Sequence, residues 1–107
     1  METISFEQFK KLDLRVGKIV SAERMEGSEK LLKLEVDIGA EKRQIIAGIG
    51  TRYEPKNLAG KEIVVVVNLE LRRLMGLESQ GMLLAADADG PVILCPEKDV
   101  PPGSVIK

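Results

Sequence analysis

Leu32-Lys33-Leu34-Glu35-Val36-Asp37-Ile38 alternates apolar and charged residues without a break. Side chains along a strand point to opposite faces in turn, so this stretch predicts a strand with one face buried and one in water. Gly39 ends it, and Lys42 to Ile49 supplies a third strand after a short connection, so the two should form a hairpin. Half-buried strands of this kind belong to antiparallel sheets. Upstream, Leu14 to Met25 reads as a long first strand, with Gly17 permitting a bend or bulge. Glu26-Gly27-Ser28-Glu29 is the turn that follows. Downstream, Ile63-Val64-Val65-Val66-Val67 is apolar on both faces. It predicts a central fourth strand over Lys61–Leu69. Gly81–Ala86 predicts a fifth strand, Asp87–Gly90 a turn and Val92–Cys95 a sixth.

The remaining segments are irregular or short. Ser5 and Gln8 have capping-box spacing, with Ile4 and Phe9 placed for a hydrophobic staple, so a helix is expected from Phe6 to about Lys11. Gly50–Gly60 carries Pro55 and Asn57 and has room for one helical turn. Pro96, Pro101 and Pro102 keep the tail extended. Short antiparallel strands with one helical turn between the third and fourth predict an all-β fold. The expected architecture is a five-stranded Greek-key OB-fold barrel, and an SH3-like barrel is the alternative.

Composition narrows the function. The chain has 107 residues, enough for a single domain spanning 1–107. It contains no histidine and one cysteine, Cys95. That removes the commonest general base, any internal disulfide and a thiolate zinc site. Phosphate-loop and dinucleotide fingerprints are absent. No catalytic residues, metal or cofactors are expected, and an enzyme would have to rely on ordinary carboxylates, lysines or a serine. No apolar run reaches the length of a membrane span and the N-terminus lacks an apolar signal core, so a cytoplasmic protein is expected. The chain reads as free-standing, from Met1 to Lys107.

Charge and aromatics then separate the kinds of binding. The formal net charge is −1, so a nucleic-acid surface would require the charges to be sorted by face. Arg15, Lys18, Lys30, Lys33, Lys42, Arg43, Arg72 and Arg73 lie on or beside the first three strands or on the connection after the fourth. The bland alternative is a solvated face of scattered ion pairs, with Glu35, Asp37 and Glu41 close by. The aromatics are Phe6, Phe9 and Tyr53 only. Stacking successive bases needs more, whereas reading folded RNA by shape and backbone does not. Tyr53 is either a lone platform or a loop residue packed on the barrel. Met75 and Met82 are by default core fillers, and Cys95 a small buried hydrophobe. The segment Asn68–Met82, NLELRRLMGLESQGM, reads as a polar, arginine-bearing loop delivered by a buried strand.

The order of motifs carries a resemblance. LDLRVGKI at Leu12–Ile19, EKLLKLEVDIG at Glu29–Gly39, RQIIAGI at Arg43–Ile49, GKEIVVVVNL at Gly60–Leu69 and ESQGMLLAA at Glu78–Ala86 follow one another. The chain resembles the structure-specific tRNA-binding domain found at the C-terminus of bacterial methionyl-tRNA synthetases, in free-standing small proteins and in synthetase-associated cofactors. Ser79-Gln80-Gly81-Met82 is the most diagnostic piece. The resemblance implies an OB-fold with an extra C-terminal element. It also implies a homodimer and binding at the outside corner of tRNA, with methionyl-tRNA synthetase as a partner in trans. By motif position it implies contacts from Lys30, Arg43, Asn68, Arg72, Ser79 and Met82. Arg73 and Gln80 are added from their chemistry and position. For the dimer, Phe6, Phe9, Val92 and Leu94 are candidates, with intrachain packing as the alternative. Ala47 stands where the family commonly has serine, and Met25–Glu29 departs from the usual proline- and alanine-bearing turn. A related branch resembles a secretion chaperone that binds unfolded polypeptide, which is the second reading.

Overall fold

The computed structural model describes residues 1–107. A short helix, α1 (Phe6–Phe9), precedes strands β1 (Leu14–Arg24), β2 (Leu32–Asp37) and β3 (Lys42–Ala47). A 3-10 turn at Pro55–Asn57 leads to β4 (Glu62–Val66). Six short strands follow: β5 (Arg72–Leu74), β6 (Leu77–Ser79), β7 (Met82–Leu83), β8 (Ala85–Asp87), β9 (Pro91–Ile93) and β10 (Val105–Ile106).

The main sheet runs β3-β2-β1-β4-β7, and every pairing in it is antiparallel. β1 is long enough to serve both halves. Leu14–Lys18 pair with β4, and Lys18–Arg24 pair with β2. The register slips between Ile19 and Ser21, so the bulge lies at Val20, not at the expected Gly17. Gly17 has a different task. A Cβ there would lie 2.5 Å from Val36 Cγ1 and 3.1 Å from Val65 Cγ2. The missing side chain lets β1 cross the interior at close range.

The alternation in β2 does what its pattern predicts. Leu32, Leu34 and Val36 are buried, and Glu35 is exposed. They pack with Ile19, Ile45, Ile63, Val65 and Leu83 in one core. The apolar β4 is central as expected, flanked by β1 and β7. The result is a nearly closed OB-type barrel.

Four details differ from the sequence reading. The helix stops at Phe9, although Ser5 and Gln8 do form the capping box. None of its residues is fully buried, and Phe6 and Phe9 are 72% and 40% exposed. The expected fifth strand changes partner midway: β7 pairs with β4, and β8 pairs with β9. The sixth strand ends at Ile93, which leaves Cys95 exposed and not buried. The tail contributes β10, which pairs with the start of β1 through Leu14–Ile106 and Arg15–Val105.

Candidate nucleic-acid interface

Asn68–Met82 is not an open loop. Most of it is a β-hairpin in which Arg72 faces Ser79, Arg73 faces Glu78 and Leu74 faces Leu77. The two-residue turn is Met75-Gly76, with φ of 50° and 81°. Two successive positive φ values define the turn type that matches strand twist. The usual Asn-Gly signal is replaced by Met-Gly, which hid the hairpin from the sequence.

The hairpin is fastened to the free edge of β3 by side chains. Ser79 Oγ accepts from the Ile46 N–H at 3.0 Å and donates to the Gly81 carbonyl at 3.0 Å. Gln80 Oε1 accepts from the Gln44 N–H at 2.9 Å, and the Gln80 N–H donates to the Gln44 carbonyl at 2.8 Å. Gln44 Nε2 donates to the Glu78 carbonyl at 2.8 Å. An edge strand leaves a row of unpaired amides. Here Ser79 and Gln80 satisfy two of them and so complete the barrel where strand pairing stops. Gly81 is needed beside them, because a Cβ would come within 2.9 Å of the Val66 carbonyl. Ile46 illustrates the result. It sits in the outward register opposite Lys33, yet it is fully buried.

The expected contact residues therefore divide by environment. Ser79 is buried, with 1% of its surface exposed and its hydroxyl engaged on both sides. Gln80 is half-buried with its carbonyl oxygen engaged, and Met82 is half-buried on β7 beside Val66. Arg43 reaches across the barrel mouth, donating to the Val67 carbonyl and to the Gln80 carbonyl at 3.3 Å. Its other nitrogen meets Glu41 Oε1 at 3.3 Å. Asn68 ties down the N-terminal segment. Its Oδ1 accepts from the Asp13 N–H at 2.9 Å, and its Nδ2 donates to the Lys11 carbonyl at 2.6 Å.

Arg72, Arg73 and Lys30 are different. All three are exposed, and none forms an ion pair within the chain. Arg73 makes only a long hydrogen bond to the Gly76 carbonyl, 3.4 Å. The hairpin tip leans toward the β1–β2 turn that bears Lys30, since the Met75 methyl lies 3.5 Å from a Cβ built on Gly27. The Lys30 stem in turn lies over Gly48, its Cε 2.9 Å from a Cβ built there. Sequence reasoning grouped all eight residues; the structure exposes three free cations and uses four polar side chains as supports.

Below the hairpin, the outward face of β1, β2 and β3 forms a depression of about 400 Å³ lined by Ser21, Glu23, Lys33, Glu35, Lys42, Arg43, Gln44 and Gln80 among others. Tyr53 is no stacking platform. It packs against the core, and its hydroxyl accepts from the Ile93 N–H at 3.0 Å. Arg15 is paired with Asp13 at 2.8 Å, and that hydrogen bond and charge raise its pKa above the ordinary arginine value. A separate apolar groove of about 460 Å³ lies between Phe6, Phe9, Leu12, Leu14, Val105 and Ile106. Of the four dimer candidates, Phe6 and Phe9 line it, while Val92 and Leu94 are exposed elsewhere on and beside β9.

Comparison with known proteins places this geometry. A family model described as "Putative tRNA binding domain" matches residues 14–105. The methionine--tRNA ligase of Methanothrix thermoacetophila is 58% identical over 105 residues, which covers 97% of this chain but 16% of that protein. The chain thus spans about a sixth of that relative's length. Among solved structures, a MetRS-related protein from Pyrococcus horikoshii superposes with a TM-score of 0.94 at 38% identity, with 100% of both chains covered. The chaperone CsaA from Bacillus anthracis superposes with a TM-score of 0.91 at 35% identity, covering 99% of this chain and 100% of that one. The ordered motifs, the barrel closed by the Ser79–Met82 segment and these matches agree, and the chain belongs to the structure-specific tRNA-binding domain family.

Proposed function

We propose that this chain is a non-catalytic tRNA-binding module that works as a homodimer, grips the outside corner of tRNA by shape and backbone, and assists methionyl-tRNA synthetase in trans. The observation that carries the reading is the unpaired positive charge of Arg72 and Arg73 on a braced hairpin, with Lys30 on the neighbouring turn. Phosphate contacts from such cations position an RNA without reading its bases. Lys30, Arg72 and Arg73 are the direct contacts in this reading, and Arg43 and Met82 border the surface. Ser79, Gln80 and Asn68 hold it in shape. The similarity to methionine--tRNA ligases and to the MetRS-related protein supports a synthetase as the partner. Support for a dimer comes from the apolar groove at the N-terminus, where Phe6 and Val105 are 72% and 61% exposed. Contiguous apolar surface of this kind commonly marks an interaction site. Total tRNA, titrated by filter binding at several salt concentrations, tests the function; salt-sensitive binding at micromolar protein is expected.

The likeness to the chaperone CsaA favours a second reading, capture of unfolded polypeptide. Its apolar residues are unevenly available: Met75 is 55% exposed, but Leu77 and Met82 are half-buried. Suppression of client aggregation that excess tRNA leaves unchanged would favour this reading over the first.

A further inference from the structure

The cations that line the depression are not free. Lys33 Nζ lies 2.6 Å from Glu23 Oε1, Lys42 Nζ 3.8 Å from Glu35 Oε1, and Arg43 3.3 Å from Glu41 Oε1. The sheet register builds in the closest of these pairs. Glu23 and Lys33 are direct cross-strand partners, and Glu35 and Lys42 are diagonal neighbours on the same face. Each of the three cations lining the depression therefore has its own carboxylate, while the hairpin and turn cations have none. Strands two and three of an OB-fold are the ordinary seat for an oligonucleotide strand. A neutralised seat offers a polyanion little counterion release, and that release supplies most non-specific affinity. Aromatic stacking, the other source of strand affinity, is missing from the lining.

We infer that Glu23, Glu35 and Glu41 are specificity-determining residues that screen the barrel face against unstructured single-stranded RNA and leave binding to the rim cations. The inference rests on the tRNA-binding reading for its purpose, but the screen itself is separable from it. A flexible strand that settles on the face must displace three carboxylates from their partners. A rigid folded RNA can meet Arg72, Arg73 and Lys30 without entering the depression.

The test compares two triple variants with the wild type. One carries Glu23→Gln, Glu35→Gln and Glu41→Gln. The control carries Glu2→Gln, Glu7→Gln and Glu97→Gln, which are exposed and outside every ion pair, and it changes net charge equally. Binding of a 20-nucleotide oligouridine and of total tRNA is measured across salt concentrations, with urea melts to verify folding. The face variant should bind oligouridine at least tenfold tighter than the control. Its salt slope should steepen by about 2, or ~0.7 for each of three newly available cations. Equal gains in both variants, or no gain in the face variant, would overturn the inference. Wild-type binding to tRNA is read in a separate arm, so failure of the tRNA reading would appear there and not in the oligouridine comparison.

Discussion

Replacing Ser79 with alanine separates a bracing role from an RNA contact. The hydroxyl accepts from the Ile46 N–H and donates to the Gly81 carbonyl, and the site is closed to water. Alanine fits the space but leaves a buried amide and a carbonyl without this partner. An unsatisfied buried polar group costs about 1–3 kcal/mol. The expected loss is about 2–3 kcal/mol, because the donor has no room to recruit water. For a domain of this length that corresponds to a Tm decrease of about 10 °C. With a urea slope of about 1.5 kcal/mol/M, the midpoint should fall by about 1.3–2 M. The fold should survive, since domains commonly have about 5–15 kcal/mol in reserve. The assay is urea unfolding, paired with tRNA titration at low denaturant-free temperature. The bracing account predicts a large stability loss and an unchanged salt slope, because no cation has been removed. Full stability together with a tenfold loss of tRNA affinity would refute it and make Ser79 a direct contact.

Other expectations follow from the same geometry. Met75→Asn places a residue tolerant of positive φ in the hairpin turn and should raise stability by up to about 1 kcal/mol, read by urea unfolding. Gly17→Ala forces a methyl group against Val36 and should destabilise by about 1–3 kcal/mol in the same assay. Phe6→Asp puts charge into the apolar groove, so sedimentation should report a monomer for the variant and, on the proposed reading, a dimer for the wild type. RNA affinity at fixed salt should be flat between pH 6 and 8, because the chain has no histidine. Arg15 does not alter this. Its folded pKa is raised, so any stabilisation it gives is present below the unfolded value and is lost only as pH rises through the folded one, far above this window.

Much of the fold was legible because it follows simple periodicity. The β2 alternation, the apolar β4 and the Ser5–Gln8 capping box all appear where local rules place them. The hairpin at Arg72–Ser79 was not legible, since Met75 occupies a turn position that Asn or Gly usually announces. The closure of β3 was hidden for another reason. Ser79 and Gln80 replace strand pairing with side-chain hydrogen bonds, and no strand pattern records that. Their polarity, together with the motif match, suggested RNA contacts from sequence. The same polarity serves buried amides in the structure. Cys95 was misplaced because the preceding strand ends two residues earlier than its apolar run. The free cations were only half legible. Sequence names Arg72 and Arg73, but the ion pairs that occupy Lys33 and Lys42 depend on register.

The central claim is that unpaired cations at the rim hold tRNA through its phosphates. The salt dependence of tRNA binding tests it most directly, measured for the wild type and for the Arg72→Ala/Arg73→Ala variant. Each phosphate contact adds about 0.9 to the slope of log affinity against log salt. The variant should bind more weakly, with a slope reduced by about 1.8. A variant that keeps the wild-type slope and affinity would contradict the account.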